Sequence, residues 1–380
     1  MPENDASAVS NRRARNGRVL VYSAGSHRAA HDHETCRELA RMLAAIKGYD
    51  FAGEYDRHAN YEGNVYFVPT DTLVGVDHAR SLGIASEHDL FGGVVPYPFV
   101  ATKCISHPLV DDPKRMPEGW SDRFADTVRD VVLDGFSAFS RDDAMRAGSR
   151  LLAGGPARVK RALGIGGHGQ VIVSNRDELE RALAAIDVEE MMRYGIAIEE
   201  HLDGVTTHSV GQARLDDLVV SYFGMQRLTR NNSGKDVYGG SDLIVARGDF
   251  DALLAMNPPP ATRRAVEKAR RYDRAAFECF PGLFASRRNY DVVEGTDAIG
   301  ATRIGVLEQS WRVGGASAAE VAALAAFRQD ALLRAVRASS VEVYGDAARP
   351  PPGATLYFRG SDGHDGALTK YCMIDRDVHA

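Results

Sequence analysis

The sequence has few cysteines and no long apolar run. Its cysteines are Cys36, Cys104, Cys279 and Cys372, and no two of them form a Cys-x-x-Cys pair. Cysteines scattered in this way predict neither a disulfide framework nor a zinc site, and they suit a reducing compartment. Because no stretch of about 18 apolar residues occurs, we expect no membrane span and a cytoplasmic location.

Basic tracts are also missing. The net charge is −6 without a long run of lysine and arginine, so we expect no nucleic-acid partner. The composition, 44% hydrophobic and 26% charged, is typical of a soluble globular protein. With 380 residues, the chain exceeds the usual size of a single core, which favours two or three domains. Residues 1–16 are polar and read as a disordered lead-in.

Strand and helix patterns alternate in the first third of the chain. "RVLVYSAG" from residue 18 reads as a buried strand, and residues 34–49 have helical spacing. Further strand-like runs follow, which predicts an open α/β domain over 17–115. Ser121 and Ser140 are placed to cap the next two helices, the first of them reaching toward residue 135.

A glycine-rich turn, "VKRALGIGGHGQ", joins two short strand patterns at residues 159–170. Glycine lets backbone N–H groups approach a phosphate closely, and Lys160 adds a positive charge. The turn is not a Walker A loop, because no Gly-Lys-Ser/Thr closes it, and it is not a Rossmann turn, because it lies in a hairpin. Taken alone it fits either a phosphate cradle or an ordinary loop.

Acidic side chains recur downstream at strand positions. "IEEHLDG" at 198–204 ends a strand with two carboxylates, and "YDVV" carries Asp291. In "LEQSWRVGGAS", the alternation of a strand points Glu308, Ser310 and Arg312 to one face, with Trp311 directed into the core. Mg²⁺ is usually held by one or two carboxylates together with substrate phosphates, which this face would suit.

In this order and spacing, the residues from about 18 to 317 resemble the ATP-grasp superfamily, which includes D-alanine–D-alanine ligase, biotin carboxylase and the carboxylate–amine ligases. The resemblance implies an α/β fold, in which an open α/β domain precedes a two-lobed ATP-grasp unit. The expected parts are a lead-in, a substrate-side domain, the ATP-grasp unit with its flap lobe, and a C-terminal helix with strands: 1–16, 17–115, 116–325 (flap lobe about 150–205) and 326–380.

The resemblance also implies nucleotide-binding roles. Lys160 matches the lysine that contacts the phosphates, and Lys103 is the best candidate for the family's second phosphate lysine. Glu199 matches the hinge acid that accepts from the adenine amino group, and Asp203 would replace a missing ribose acid. The remaining matches are the flap glycines and the backbone along the adenine edge: Gly164, Gly166, Gly167, Gly169, Glu200, His201 and Leu202.

The implied catalytic residues lie on the two late strands. Asp291 and Glu308 match the metal-binding acids, and Arg312 matches the arginine that steadies the transferred phosphoryl group. Ser310 stands where the family usually has an asparagine ligand. Lys160 would act in catalysis as well as in binding.

The implied activity is that of an ATP-dependent carboxylate–amine ligase. ATP with Mg²⁺, or with Mn²⁺ in its place, would activate a small carboxylate as an acyl phosphate for attack by a small amine. A homodimer is common in the family and stays open here. Two alternatives also stay open: a kinase that leaves phosphate on its product, and a nucleotide-binding protein that has lost catalysis, as Ser310 suggests.

Other assignments keep competing interpretations. Asp291 and Glu308 could instead pair with a neighbouring arginine such as Arg303, and Lys160 could be a solvated lysine on an edge strand. The segment "SHRAAHDHETC" carries three histidines that fit a metal site, the substrate end of a cleft or a plain polar loop: His27, His31 and His33.

The sequence also predicts the local structure of two later segments. "NNSGKDVYGGSD" at 231–242 is loop-like. "AAEVAALAAFRQDALLRAV" predicts one helix, followed by a proline-rich break and a last strand or two.

Replacing Gly167 with valine should weaken ATP binding, because a branched side chain obstructs the close backbone approach that a phosphate flap needs. Calorimetric titration of ATP into the variant and the unmodified protein measures the difference. Equal affinities would mean that this turn is not the flap.

Overall fold

The computed structural model describes residues 16–24, 30–164, 169–346, 348–362 and 366–376. Within these ranges the strands form four sheets, and helices cover the faces of the largest one.

The first sheet consists of three parallel strands in the order β2-β1-β3. Val19, Leu20 and Val21 of the central strand are fully buried, as expected for a parallel strand that is covered on both faces. The helix between the first two strands begins four residues before the predicted start. The elements are β1 (Gly17–Tyr22), α1 (Ala30–Lys47), β2 (Asp50–Glu54) and β3 (Asn64–Pro69).

A small second sheet, in the order β13-β5-β4, connects this region to the later strands. Two short 3-10 helices follow β5, and the second of them carries Lys103. The elements are β4 (Leu73–Val74), α2 (Val76–Ser81), β5 (Gly93–Val95), the 3-10 helices Pro98–Ala101 and Lys103–Ile105, and β13 (Phe284–Ala285).

The third sheet has four antiparallel strands in the order β6-β9-β7-β8. The predicted glycine-tipped hairpin is confirmed, because Val159 pairs with Val171 across β7 and β8. Ser140 caps the helix after β6, its hydroxyl accepting from the Asp143 amide at 3.2 Å. The elements are β6 (Gly135–Ala138), α4 (Arg141–Leu151), β7 (Ala157–Arg161), β8 (Gln170–Val173), α5 (Arg176–Ala184), α6 (Val188–Tyr194) and β9 (Ile196–Glu200).

The helix capped by Ser121, α3 (Asp122–Val128), ends well before residue 135. The chain leaves the helix because the Val131 carbonyl accepts from the Val306 amide at 2.8 Å, so these residues join a strand of the largest sheet. Tertiary pairing thus outweighs the local helical pattern.

The largest sheet has eight antiparallel strands in the order β15-β14-β10-β11-β12-β16-β18-β17. Helices α7 and α8 pack on one face, and α9 together with α1 packs on the other. The elements are β10 (Asp203–Leu215), β11 (Leu218–Arg230), β12 (Asp236–Arg247), α7 (Phe250–Ala255), α8 (Pro260–Cys279), β14 (Arg287–Thr296), β15 (Thr302–Ser310), α9 (Ser317–Gln329), β16 (Ala335–Tyr344), β17 (Thr355–Asp362) and β18 (Gly366–Asp375).

Two sequence predictions were wrong in this sheet. Most of the predicted loop 231–242 belongs to β12, a central strand between β11 and β16. Its glycines permit close strand approach rather than a loop: a Cβ at Gly240 would lie 2.0 Å from the Ser340 carbonyl oxygen. The helix predicted to continue past residue 329 ends there, because the Arg247 guanidinium donates to the Phe327 and Asp330 carbonyls at 2.6 and 2.9 Å. Three strands follow it.

A buried ion pair attaches the start of β14 to α9. The Arg287 guanidinium donates to both carboxylate oxygens of Glu320 at 2.8–3.1 Å, and both side chains are at most 1% exposed. The Tyr222 hydroxyl donates to the same carboxylate at 2.6 Å. Burial of the phenol, with the negative charge of Glu320 beside it, holds the pKa of Tyr222 well above its ordinary value. The Arg287 guanidinium also donates to the Ser310 and Arg312 carbonyls at 3.1 and 2.7 Å, so the network fixes the position of the loop after β15.

Replacing Glu320 with leucine should destabilise the fold by about 3–5 kcal/mol, because it leaves the Arg287 charge buried without its partner. Urea unfolding measures the change. The double variant Arg287→Met, Glu320→Leu should recover a large part of that loss. A Glu320→Leu variant as stable as the unmodified protein would contradict this account.

Candidate active site

A cavity of about 650 Å³ lies between the four-stranded sheet and the eight-stranded sheet. Its near end is lined by Lys160 and the end of β9, and its floor by β14 and β15. Its far end is lined by α1 and by β16, β17 and β18. Residues far apart in the sequence therefore meet in one space, large enough for a nucleotide and a second small molecule.

Asp291 and Glu308 face each other on the cavity floor as cross-strand partners of β14 and β15. Opposite residues of an antiparallel pair project to the same face, so their carboxylates lie side by side. Trp311 is 1% exposed and buried in the core, as the alternation predicted.

The two carboxylates differ in pKa. Burial, together with repulsion from Glu308, raises the pKa of Asp291 to about 7. Burial also acts on Glu308, but the Lys103 ammonium outweighs it and holds the pKa of Glu308 below its ordinary value. Among the described residues, Oδ1 of Asp291 has no hydrogen-bond partner. A buried, unsatisfied oxygen beside a second carboxylate is a donor set that fits a divalent cation.

Arg303 does not neutralise this acid pair. Its guanidinium donates to Asp134 at 2.6 Å and to Glu200 at 3.2 Å, and it lies 3.8 Å from Asp297. The alternative that Asp291 and Glu308 pair with Arg303 is therefore wrong.

One buried lysine, Lys160, lines the near end of the cavity, and a second, Lys103, contacts Glu308 of its floor. Lys160 forms an ion pair with Glu199, both side chains being 2% exposed. This excludes the interpretation of Lys160 as a solvated edge lysine. Lys103 pairs with Glu308 and donates to the Gly164 carbonyl at 3.1 Å, which joins the cavity floor to the base of the glycine turn. Burial, assisted by the nearby charge of Lys103, lowers the pKa of Lys160.

Glu199 holds Lys160 in position. One of its oxygens meets the Lys160 ammonium, and the other lies 3.3 Å from Nε2 of His107, which is 1% exposed. Burial would raise the pKa of Glu199, but the Lys160 charge and the His107 hydrogen bond bring it down to about 2. The Glu199 carboxylate is therefore ionised and forms the ion pair with Lys160. Its contact with an adenine amino group stays a prediction.

The remaining hinge residues divide into two groups. Glu200 and Leu202 line the cavity, and the Glu200 carboxylate accepts from the Asp134 amide at 3.1 Å. His201 packs against Arg158, with 3.0 Å between Nδ1 and the guanidinium. Asp203 has an 85% exposed side chain beside His201. Of the residues that the structure describes, neither His201 nor Asp203 lines the cavity, so the expected ribose role of Asp203 finds no support.

Part of the glycine turn lies outside the described residues, and that part includes Gly166 and Gly167. The flanking glycines are described. Gly169 has φ +75°, a left-handed conformation that favours glycine, and its carbonyl accepts from the Arg161 amide at 3.0 Å. Gly164 contacts Lys103 as stated above. The phosphate-binding role of all four glycines stays a prediction.

Ser310 lies on the cavity floor, but its hydroxyl accepts from the Arg287 guanidinium at 3.2 Å. A hydroxyl that accepts from a cation is a poor metal ligand. Asn289, its cross-strand partner, also lines the cavity and was not singled out from the sequence. Its amide nitrogen donates to the hydroxyls of Ser209 at 2.7 Å and Tyr222 at 3.0 Å. The amide oxygen therefore points away from these two hydroxyls. The spacing Asn-x-Asp on one strand was the available signal.

Arg312 lines the cavity beyond the acid pair. Its guanidinium donates to the Val313 carbonyl at 2.9 Å and lies 3.7 Å from Asp71, which follows β3. The segment after the N-terminal sheet thus contacts a residue that lines the cavity.

His31 lines the far end, whereas His33 lies 3.4 Å from Glu54 on another side of α1. His27 lies outside the described residues. In the described part of the chain, no group of three or more His, Cys, Asp or Glu side chains is arranged to hold a metal ion by itself. A metal at the acid pair would therefore need oxygen atoms from other sources.

No helix in the described ranges is both long and apolar enough to cross a membrane.

Solved structures share this architecture. A biotin carboxylase from Campylobacter jejuni, crystallised as a β-γ-ATP complex, superposes with a TM-score of 0.51 at 11% identity, covering 96% of this chain and 88% of that one. A phosphoribosylamine–glycine ligase from Thermotoga maritima matches with a TM-score of 0.47 at 14% identity, covering 93% and 91%. The first likeness shows the fold: the chain has the ATP-grasp fold, and that prediction is confirmed.

A family model described as "Protein of unknown function (DUF3182)" matches residues 19–372, and the chain belongs to that family. No curated protein sequence matches the chain significantly.

Replacing Glu308 with glutamine should weaken Mn²⁺ binding in the presence of ATP by about tenfold or more, since even outer contacts of metal sites change affinity by that amount. Electron paramagnetic resonance of free Mn²⁺ measures it. Glu294→Gln, on the other face of β14, is the control and should bind Mn²⁺ normally. Equal binding by the Glu308 variant and the control would remove Glu308 from the metal site.

Proposed function

We propose that this protein is an ATP- and Mg²⁺-dependent ligase that joins a small carboxylate to a small amine. The observation that carries the proposal is the cavity lined by buried Lys160, by a pair of cross-strand carboxylates and by Arg312, with a second buried lysine, Lys103, paired with one of those carboxylates. The ATP-grasp fold supplies the frame, but a fold hosts many functions, so the argument rests on the site.

The near end suits the nucleotide. Lys160 and Lys103 would present positive charge to the phosphates. Glu199, which also contacts His107, holds the Lys160 ammonium in position. Binding of a phosphate chain would bring negative charge between the two lysines, whose mutual repulsion contributes to the lowered pKa of Lys160. Glu200 and Leu202 would border the base.

The cavity floor suits Mg²⁺. Asp291 and Glu308 would hold it, with the amide oxygen of Asn289 as a further donor in place of Ser310. When bound, Mg²⁺ would neutralise phosphate oxygens and stabilise the negative charge that develops on ADP as it leaves. The remaining ligands would come from the phosphates themselves.

The chemistry needs positioning and charge compensation rather than a covalent nucleophile. An oxygen of the substrate carboxylate attacks the γ-phosphorus, the bond to ADP breaks, and an acyl phosphate forms. The amine then attacks the acyl carbon, phosphate leaves with the bonding electrons, and the nitrogen loses a proton. Arg312, on the far side of the acid pair, would steady the phosphoryl group and the acyl phosphate.

A second candidate is a nucleotide-binding protein without turnover. The engagement of the Ser310 hydroxyl by Arg287 favours it, because the site then lacks one ligand that the family pattern supplies. A kinase differs from the ligase only in where the phosphate ends, and the products distinguish the two.

ATP with Mg²⁺ should raise the thermal unfolding temperature by several degrees, since a ligand at a hundred times its Kd adds about 2.7 kcal/mol. Differential scanning fluorimetry with ATP, each with Mg²⁺ or chelator, checks this. A shift that needs both supports the site and leads to a screen for ADP and phosphate release.

A shift with ATP alone, without ADP release for any carboxylate and amine, would favour the binding protein. A phosphorylated product without free phosphate would identify a kinase. No shift under any condition would contradict nucleotide binding itself.

A further inference from the structure

Arg158 lines the near end of the cavity and has no part in the reaction described so far. It lies two residues before Lys160 on β7, so the alternation of a strand places both side chains on the same face. Arg158 pairs with Glu199 of β9, and Glu200, the last residue of β9, is the next position along. Of the two cations on this face, Arg158 is therefore the one nearer to the hinge after β9.

Two side chains hold the guanidinium of Arg158. Its Nη1 donates to the side-chain oxygen of Gln170 at 3.2 Å, and its Nη2 donates to Nδ1 of His201 at 3.0 Å. Because Nδ1 accepts, the ring proton lies on Nε2, which is 3.4 Å from a carboxylate oxygen of Asp203. A guanidinium is planar, so hydrogen bonds at both terminal nitrogens fix the direction of its plane.

An apolar cluster that includes the hinge residue Leu202 also lines the cavity. Leu202 packs with Leu133, Val293 and Leu307, and all four residues line the space. Val293 belongs to β14 and Leu307 to β15 of the large sheet, whereas Arg158 belongs to the four-stranded sheet. Since the cavity lies between these two sheets, the arginine and the apolar cluster contribute to opposite walls.

A flat aromatic ring fits between such walls. A guanidinium packs its face on aromatic rings, and this attraction strengthens when apolar neighbours exclude water. The hydrogen bonds to Gln170 and His201 lie in the plane of the Arg158 guanidinium, which leaves its faces for packing. A phosphate would instead need the N–H donors, and both terminal nitrogens already donate to protein groups.

We propose that Arg158 stacks on the base of the bound nucleotide, and that Gln170 and His201 are positioning residues that hold its guanidinium plane. The inference rests on the proposed function, because it names a residue that binds the nucleotide of that reaction. Lys160 then serves the phosphates and Arg158 the base, from one face of one strand.

The test is calorimetry with two ligands in the presence of Mg²⁺: ATP, and inorganic tripolyphosphate as a probe that lacks the base. Arg158→Met should weaken ATP binding about tenfold and leave tripolyphosphate binding unchanged. Lys160→Met should weaken the binding of both ligands. Arg161→Met is the matched control, since it removes an arginine from the opposite face of β7, and it should change neither affinity.

Retained tripolyphosphate binding also shows that the Arg158→Met variant is folded. An equal loss for ATP and tripolyphosphate would make Arg158 a phosphate ligand, and unchanged ATP binding would remove it from the nucleotide site. Either result would overturn the proposal.

Further variants, measured with ATP alone, separate the plane of the guanidinium from its charge. Arg158→Lys keeps the charge but loses the plane, so it should bind ATP as weakly as Arg158→Met. His201→Phe keeps a ring but loses the acceptor, and it should weaken ATP binding about threefold. In the Arg158→Met background it should have no further effect, because it acts through Arg158. Restored ATP binding with lysine, or a His201→Phe effect that persists without Arg158, would contradict the proposal.

Failure of this inference is separate from failure of the proposed function. ATP binding that does not depend on Arg158 would retain the nucleotide site and remove the stacking contact. No ATP binding by the unmodified protein would remove both.

Discussion

The site depends on two carboxylates that the antiparallel register of β14 and β15 brings side by side in a buried place. Burying Asp291 next to Glu308 is unfavourable unless positive charge compensates it, and burial together with the Glu308 charge raises the pKa of Asp291 to about 7. Lys103 compensates Glu308 directly, and the other charged residues of the cavity lie around this acid pair. Lysines approach from two other parts of the chain, and one carboxylate oxygen of Asp291 has no hydrogen-bond partner among the described residues.

The same charges hold the parts of the molecule together. Lys103, on a 3-10 helix between the sheets, contacts Glu308 on the large sheet and the Gly164 carbonyl beside the four-stranded sheet. Arg303 likewise connects β15 to Glu200 at the end of β9 and to Asp134. The contacts that build the cavity are therefore also contacts that hold its walls together.

Neither the fold nor the family identifies the reaction, so the reaction has to be inferred from the residues of the site. The ATP-grasp architecture is shown by a distant structural likeness, and the family model carries a description without an activity. Ion pairs recur along the cavity: Lys160 lies beside Glu199, Lys103 beside Glu308 and Lys370 beside Glu342.

The ATP-grasp fold was predicted from a resemblance to a known family. The glycine-tipped hairpin and the common face of Glu308 and Ser310 were predicted from turn chemistry and strand alternation, which are local properties of the sequence. The sequence by itself could not show β12, whose glycines serve close packing against β16, or the early end of α9, which Arg247 imposes from a distant strand. Only the tertiary structure paired Lys160 with Glu199, set Asn289 opposite Ser310 and gathered Asp32, Glu342 and Lys370 at one end of the cavity. Those contacts join residues far apart in the chain, and strand register and charge compensation, which no short pattern encodes, decide them.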